Sequence, residues 1–142
     1  MKKISIITIL CTLGLLASCV KADVDPAYDM EKYPVNVAIT AAYCSPFTAP
    51  KALQLEGEIS TTPDADGKYS ITFVIPKNLD AKYYDLSALR IKANVDYDVY
   101  IDPPLGGVHD LDGKTKEVKV YSPIPGADKE KIYVIKAYKS RN

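Results

Sequence analysis

The sequence predicts an all-β fold, a seven-stranded antiparallel β-sandwich, from three observations. Apolar and polar residues alternate with period two in seven short stretches. Turn chemistry separates these stretches, in the form of prolines, glycines and Asp-Gly pairs. No stretch sustains a 3.6-residue apolar period over the length of a helix. A period of two puts alternate side chains on opposite faces, so each stretch has one face to bury and one to leave wet.

Taken in order, "VNVAITAAY" places Val35, Val37, Ile39, Ala41 and Tyr43 on one face, and "LQLEGEI" does the same with Leu53, Leu55 and Ile59. "YSITFVI" alternates Tyr69, Ile71, Phe73 and Ile75; "LRIKANV" alternates Leu89, Ile91, Ala93 and Val95. "YDVYI" carries Tyr97, Val99 and Ile101, and "KEVKVY" carries Val118 and Val120. The last, "KIYVIKAY", sets Tyr133, Ile135 and Ala137 against Ile132, Val134 and Tyr138, apolar on both faces, which suits a central strand. "PDADGK" and "LDGK" supply Asp-Gly for positive-φ turn positions, while "DPPLGG" and "SPIPG" break the chain. "DLSALR" is at most one helical turn, capped by Asp85. Seven short strands with regular turn signals, in a chain long enough for one core, fit an Ig-like sandwich.

Composition narrows the partners. Eighteen Lys and Arg balance eighteen Asp and Glu, so no net charge recruits nucleic acid or an acidic membrane surface. Eleven Tyr, two Phe and no Trp make the aromatic content almost wholly phenolic. Each buried Tyr needs a partner for its hydroxyl.

The N-terminus reads as an address. Met1, Lys2 and Lys3 form a basic start, and residues 4–16 an apolar run of signal-peptide length, short for a bilayer span. Leu16, Ala17, Ser18 and Cys19 then resemble the bacterial lipobox, which implies cleavage before a Cys19 that carries diacylglycerol and a palmitate-class acyl chain. Removing the first 18 residues leaves 124 and a net charge of about −2. Several acyl chains on one cysteine anchor a protein stably without a transmembrane helix. The chain then divides into a signal peptide (1–18), a lipidated tether (19–34) with two prolines and no period, and a sandwich domain (35–142). Val20 stands where an inner-membrane retention signal would place Asp, so an outer-membrane lipoprotein, periplasmic or surface-exposed, is expected. Cys44 is left alone after cleavage and lipidation, a small core hydrophobe rather than half of a disulfide.

The second half carries a family resemblance. A strand ending in Pro76, "DLSAL" leading into a strand, a "DL" step before "VKVYS", a Gly, and a final "KIYVIKAY" resemble a sandwich domain of unknown function found in surface lipoproteins of Bacteroidota. That domain is related to bacterial Ig-like and cadherin-like modules. The pattern covers residues 69–138 well and 35–68 loosely; "GADKEKIYVIKA" is longer by a residue or two than the usual ending. The resemblance implies fold and envelope location, and brings no catalytic motif.

Three constellations bear on chemistry. Asp96, Asp98 and Asp110 could form an irregular Ca²⁺ site between strands, as cadherin-like modules do, although neither "LDG" nor "DADG" fits the EF-hand frame. His109 beside Asp110 could be a base with its orienter, but no G-x-S-x-G or H-E-x-x-H supplies the rest, so no enzymatic activity is expected. Tyr83, Tyr84, Tyr97 and Tyr100, with Tyr121, offer flat apolar faces with polar tips that suit sugar rings. The expected function is a non-enzymatic, lipid-anchored binding or accessory module that captures a glycan or a protein. The alternative is an assembly component whose sheet edge pairs with another envelope protein.

Cys19→Ala should abolish metabolic lipid labelling and leave unprocessed precursor; labelled, cleaved protein from the variant would contradict the lipobox reading.

Overall fold

The computed structural model describes residues 34–48, 54–79 and 83–141. The signal peptide, the lipobox with Cys19, most of the tether and Leu53 lie outside the described residues. Among the described residues the chain forms eight strands: β1 (Ile39–Pro46), β2 (Leu55–Glu56), β3 (Glu58–Ile59), β4 (Tyr69–Ile75), β5 (Leu89–Val95), β6 (Tyr100–Asp102), β7 (Thr115–Tyr121) and β8 (Lys131–Lys139). They build two sheets, a three-stranded one in the order β2-β1-β5 and a five-stranded one in the order β3-β4-β8-β7-β6. The only helical feature among the described residues is a single 3₁₀ turn, Lys77–Leu79, after β4.

Period-two patterning delivers the core as expected along four strands. Ile71, Phe73 and Ile75 of β4, Leu89 and Ile91 of β5, Val118 and Val120 of β7, and Tyr133, Ile135 and Ala137 of β8 are all buried. Each fully buried side chain of this size contributes about 1.5–3 kcal/mol relative to exposure. β8 is central, hydrogen-bonded to β4 on one side and β7 on the other, and its outward Ile132 and Val134 are only half-buried. A strand flanked on both sides and apolar on both faces therefore occupies the position its composition calls for.

Three expectations are corrected. First, the sandwich is not wholly antiparallel: β4 and β8 run parallel, from Tyr69 opposite Tyr133 to Ile75 opposite Lys139. Parallel neighbours need a long crossover, and everything between residues 75 and 131 supplies it. Second, the face of β1 changes partway. Val35, Val37 and Ile39 are buried, but the next buried residues are Ala42 and Cys44, not Ala41 and Tyr43. The register against β5 shifts between Ile39 and Ala41. An extra residue in one strand moves every later side chain to the opposite face. The bulge is held by Thr40, whose hydroxyl donates to the Asn94 carbonyl at 3.1 Å. From the facing sheet, the Tyr133 hydroxyl accepts the Ile39 N–H at 3.2 Å, and its ring stacks on Tyr69 with centroids 5.3 Å apart.

The third correction concerns "LQLEGEI", which is two strands in two sheets and raises the count from seven to eight. Leu55 and Glu56 pair with β1, and Glu58 and Ile59 pair with β4. Gly57 is the corner, its N–H donating to the Ala42 carbonyl at 2.8 Å. A Cβ there would lie 2.5 Å from Cε1 and 2.9 Å from Cδ1 of Phe73. Glycine in a strand marks such a close approach. At the next turn, Gly67 takes φ +78°, and the Asp64 carboxylate accepts the N–H groups of Asp66 and Lys68 at 3.0 and 2.8 Å.

Cys44 is the buried apolar thiol expected of it. Burial pushes its pKa from 9.0 up to about 12. Burial likewise moves the Tyr84 phenol, with the Cys44 thiol as a lesser cause, from 10.0 up to about 12.

Two outcomes follow. Gly57→Ala should destabilise the domain by about 1–3 kcal/mol, because the Phe73 ring it meets is itself enclosed; a urea midpoint equal to wild type would contradict the corner. Stability should also fall with alkaline pH. The unfolded chain releases the Cys44 proton near 9.0 and the folded chain only near 12, so between those values the unfolded state binds fewer protons and gains. Urea midpoints measured from about pH 8 to about pH 10.5 should decline, and Cys44→Ala should flatten part of that slope.

Candidate functional site

The outer face of the five-stranded sheet ends in an aromatic corner. After β5 the chain turns at residues 96–99, where the Val99 N–H donates to the Asp96 carbonyl at 3.3 Å and Asp98 adopts φ +59°. Asp is among the few non-glycine residues that enter this region readily. The turn projects Tyr97 into solvent, 88% exposed, and feeds β6. The β6–β7 register pairs Tyr100 with Tyr121, Ile101 with Val120, and Asp102 with Lys119. Since Val120 is fully buried, alternation turns Tyr100, Tyr121, Asp102 and Lys119 outward together.

The Tyr100 and Tyr121 rings lie 6.0 Å apart at 33°. The Lys119 ammonium sits 5.2 Å from the Tyr121 ring centroid and 3.6 Å from the Glu130 carboxylate. Two phenol faces are thus rimmed by one cation and two carboxylates, from β6, β7 and the residue that precedes β8. Such a surface can stack an apolar ring face and hydrogen-bond the hydroxyl groups around it.

The remaining tyrosines divide. Tyr83 is half exposed, but Tyr84 is fully buried, so Tyr84 is corrected from a ligand-binding residue to a core residue.

The Ca²⁺ expectation is also corrected. Among the described residues, no group of three or more His, Cys, Asp or Glu side chains could hold a metal ion. Asp96 accepts the Asn36 N–H at 3.3 Å, and Asp98 sits in the turn. Asp110 serves its own loop, pairing with Lys114 and accepting the Asp112 N–H at 3.1 Å. The Lys114 hydrogen bond and, after it, the Asp112 N–H hold the Asp110 carboxyl below its ordinary range. His109 does not use Asp110 as an orienter. It is buried, exchanges both backbone hydrogen bonds with Leu89 at 2.9 and 2.8 Å, and places Nε2 3.1 Å from the Leu105 carbonyl.

A second surface had no counterpart in the sequence reading. Along β5, a groove of about 310 Å³ is lined by Phe47, Arg90, Ile91, Lys92 and residues 105–107. The Arg90 guanidinium stacks over the Phe47 ring at 4.7 Å. The signal available in the sequence was the pair of cations two apart in "LRIKANV", which alternation puts on one face.

No protein-family model matches the chain, and no curated protein matches it either. Among solved structures, the chain is similar to a "putative secreted protein" from Bacteroides fragilis, with 18% identity and a TM-score of 0.41, over 71% of this chain and 91% of that one. It is also similar to a "putative glycoside hydrolase" from Bacteroides thetaiotaomicron, with 17% identity and a TM-score of 0.38. That match takes in 67% of this chain and 27% of the other, so the chain spans about a quarter of that protein.

Proposed function

We propose that this chain is a non-enzymatic, lipid-anchored binding module of the cell envelope, with an Ig-like sandwich that captures a glycan on its β6–β7 corner. The observation that carries the reading is the Tyr100–Tyr121 pair, 6.0 Å apart on an outer sheet face with Tyr100 half exposed. Tyrosines in strands usually share their faces with packing neighbours. Here, among the described residues, the edge strand β6 has no strand beyond it in the sheet, and Tyr100 opens to solvent beside Lys119 and Asp102. A neutral sugar presents an apolar face to stack and a ring of hydroxyls to satisfy, which matches that composition. Leu16, Ala17, Ser18 and Cys19 support lipidation, and the tether at 19–34 would let the sandwich stand off an outer membrane.

Detergent-solubilised full-length protein on a glycan array, followed by calorimetry with the best binder, tests the reading. Tyr100→Ala and Tyr121→Ala should each weaken binding by up to about tenfold, the scale of one aromatic contact. Tyr100→Phe should retain most of the affinity, and Tyr83→Ala should leave it unchanged. An array without any binder, or a binder indifferent to both alanine variants, would remove the proposal.

A further inference from the structure

The outer edge of β5 is the second feature that asks for a partner. Among the described residues the other edge strands are short: β2 and β3 have two residues each, and β6 has three and runs into Pro103. Natural sandwiches blunt their edges in this way. β5 is different, with seven residues, no proline and, among the described residues, only its first residue bridged on the outer side.

Hydrogen-bond parity shows which groups lie open. Leu89 turns its N–H and C=O away from β1 to exchange both bonds with His109. In an antiparallel ladder, alternate residues face the same neighbour, so Ile91 and Ala93 also turn theirs away from β1. The Ala42–Ala93 pair agrees, because the Ala42 carbonyl is used on its other side by the Gly57 N–H. No backbone bond between described residues occupies the outward groups of Ile91 or Ala93. The groove of about 310 Å³ lies along the first half of this edge, with Ile91 and residues 105–107 in its lining.

Charge specifies the occupant. Arg90 and Lys92 share the outer face of this strand and line the groove. Like most cations among the described residues, neither has a carboxylate within ion-pair distance, but these two stand two apart on the strand whose outward backbone groups are open. A strand added here would bring alternate side chains beside these two cations, and carboxylates there would complete them.

We propose that β5 accepts an extended, acidic segment of a partner protein by strand addition, with Ile91 and Ala93 supplying the backbone bonds and Arg90 and Lys92 selecting acidic side chains. This surface is separate from the tyrosine corner and stands or falls independently of it.

The probe is a blocked heptapeptide alternating Val or Thr with Glu, titrated into the full-length protein in detergent, with a Lys-for-Glu peptide as its counterpart. Amide hydrogen exchange and NMR shifts should show protection at Ile91 and Ala93, and the Glu peptide should bind about tenfold or more tighter than the Lys peptide. Ala93→Pro removes an outward N–H without touching the β1 ladder, and should abolish protection while the protein stays folded by circular dichroism. Arg90→Glu combined with Lys92→Glu should invert the peptide preference, which keeps the test decisive if the proline variant misfolds. Tyr100→Ala should change none of this. Unprotected Ile91 and Ala93 amides at saturating peptide, equal affinity for both peptides, or self-association through this edge in place of peptide binding would each overturn the proposal.

Discussion

The close approach of Gly57 to the Phe73 ring is the contact on which the rest of the sandwich depends. In one residue the chain leaves the three-stranded sheet and enters the five-stranded one, with Leu55–Glu56 paired to β1 and Glu58–Ile59 paired to β4. The Gly57 N–H is tied to Ala42 in the first sheet, while its bare α-carbon lies against a fully buried aromatic ring of the second. That residue therefore fixes how the two layers face each other. A second tie between the layers, from the Tyr133 hydroxyl to the Ile39 N–H, satisfies a donor at the β1 bulge that would otherwise be buried without a partner.

With the layers fixed, the geometry of the open side follows. β4 and β8 form the parallel seam in the middle of one sheet, which pushes β7 and then β6 outward to its edge. The chain between β5 and β6 is a tight turn at 96–99, so the edge strands of the two sheets are joined at one corner of the sandwich. The tyrosine corner lies on the β6 side of that connection, and the groove lies along the first half of β5. Their chemistries are distinct: one presents ring faces with a polar rim, the other the outward backbone groups of Ile91 and Ala93 beside Arg90 and Lys92. The principal side chains of each, Tyr100 and Tyr121 in one and Arg90 and Lys92 in the other, sit on strands.

Much of this was legible in the alternation of single strands. The inward sets of β4, β5, β7 and β8 follow from period two alone, and the double-faced "KIYVIKAY" marked the central strand. What failed to show were events that leave the pattern locally intact. The bulge at Thr40 keeps both halves of β1 alternating and merely changes their phase, so Ala41 and Tyr43 looked inward when Ala42 and Cys44 are. Gly57 interrupts "LQLEGEI" without a polar break, so a change of sheet read as one strand. The parallel direction of β4 against β8 is a matter of topology that neither strand's composition encodes. At the candidate site, tyrosine content drew attention to Tyr100, which lies exposed on the outer face of β6, but Tyr84 needed knowledge of its facing direction, and Arg90 and Lys92 drew no notice because neighbouring surface cations are common.

Gly57 and Phe73 meet at the point where the chain changes sheets, and a double-mutant cycle between them measures that contact. Shrinking the ring with Phe73→Leu should open the space that Gly57→Ala needs, so the alanine should cost at least about 1 kcal/mol less in the Phe73→Leu background than in wild type. Unfolding free energies that add to within about 0.5 kcal/mol would show that the two positions do not touch. That result would contradict the crossing and, with it, the arrangement of the two sheets.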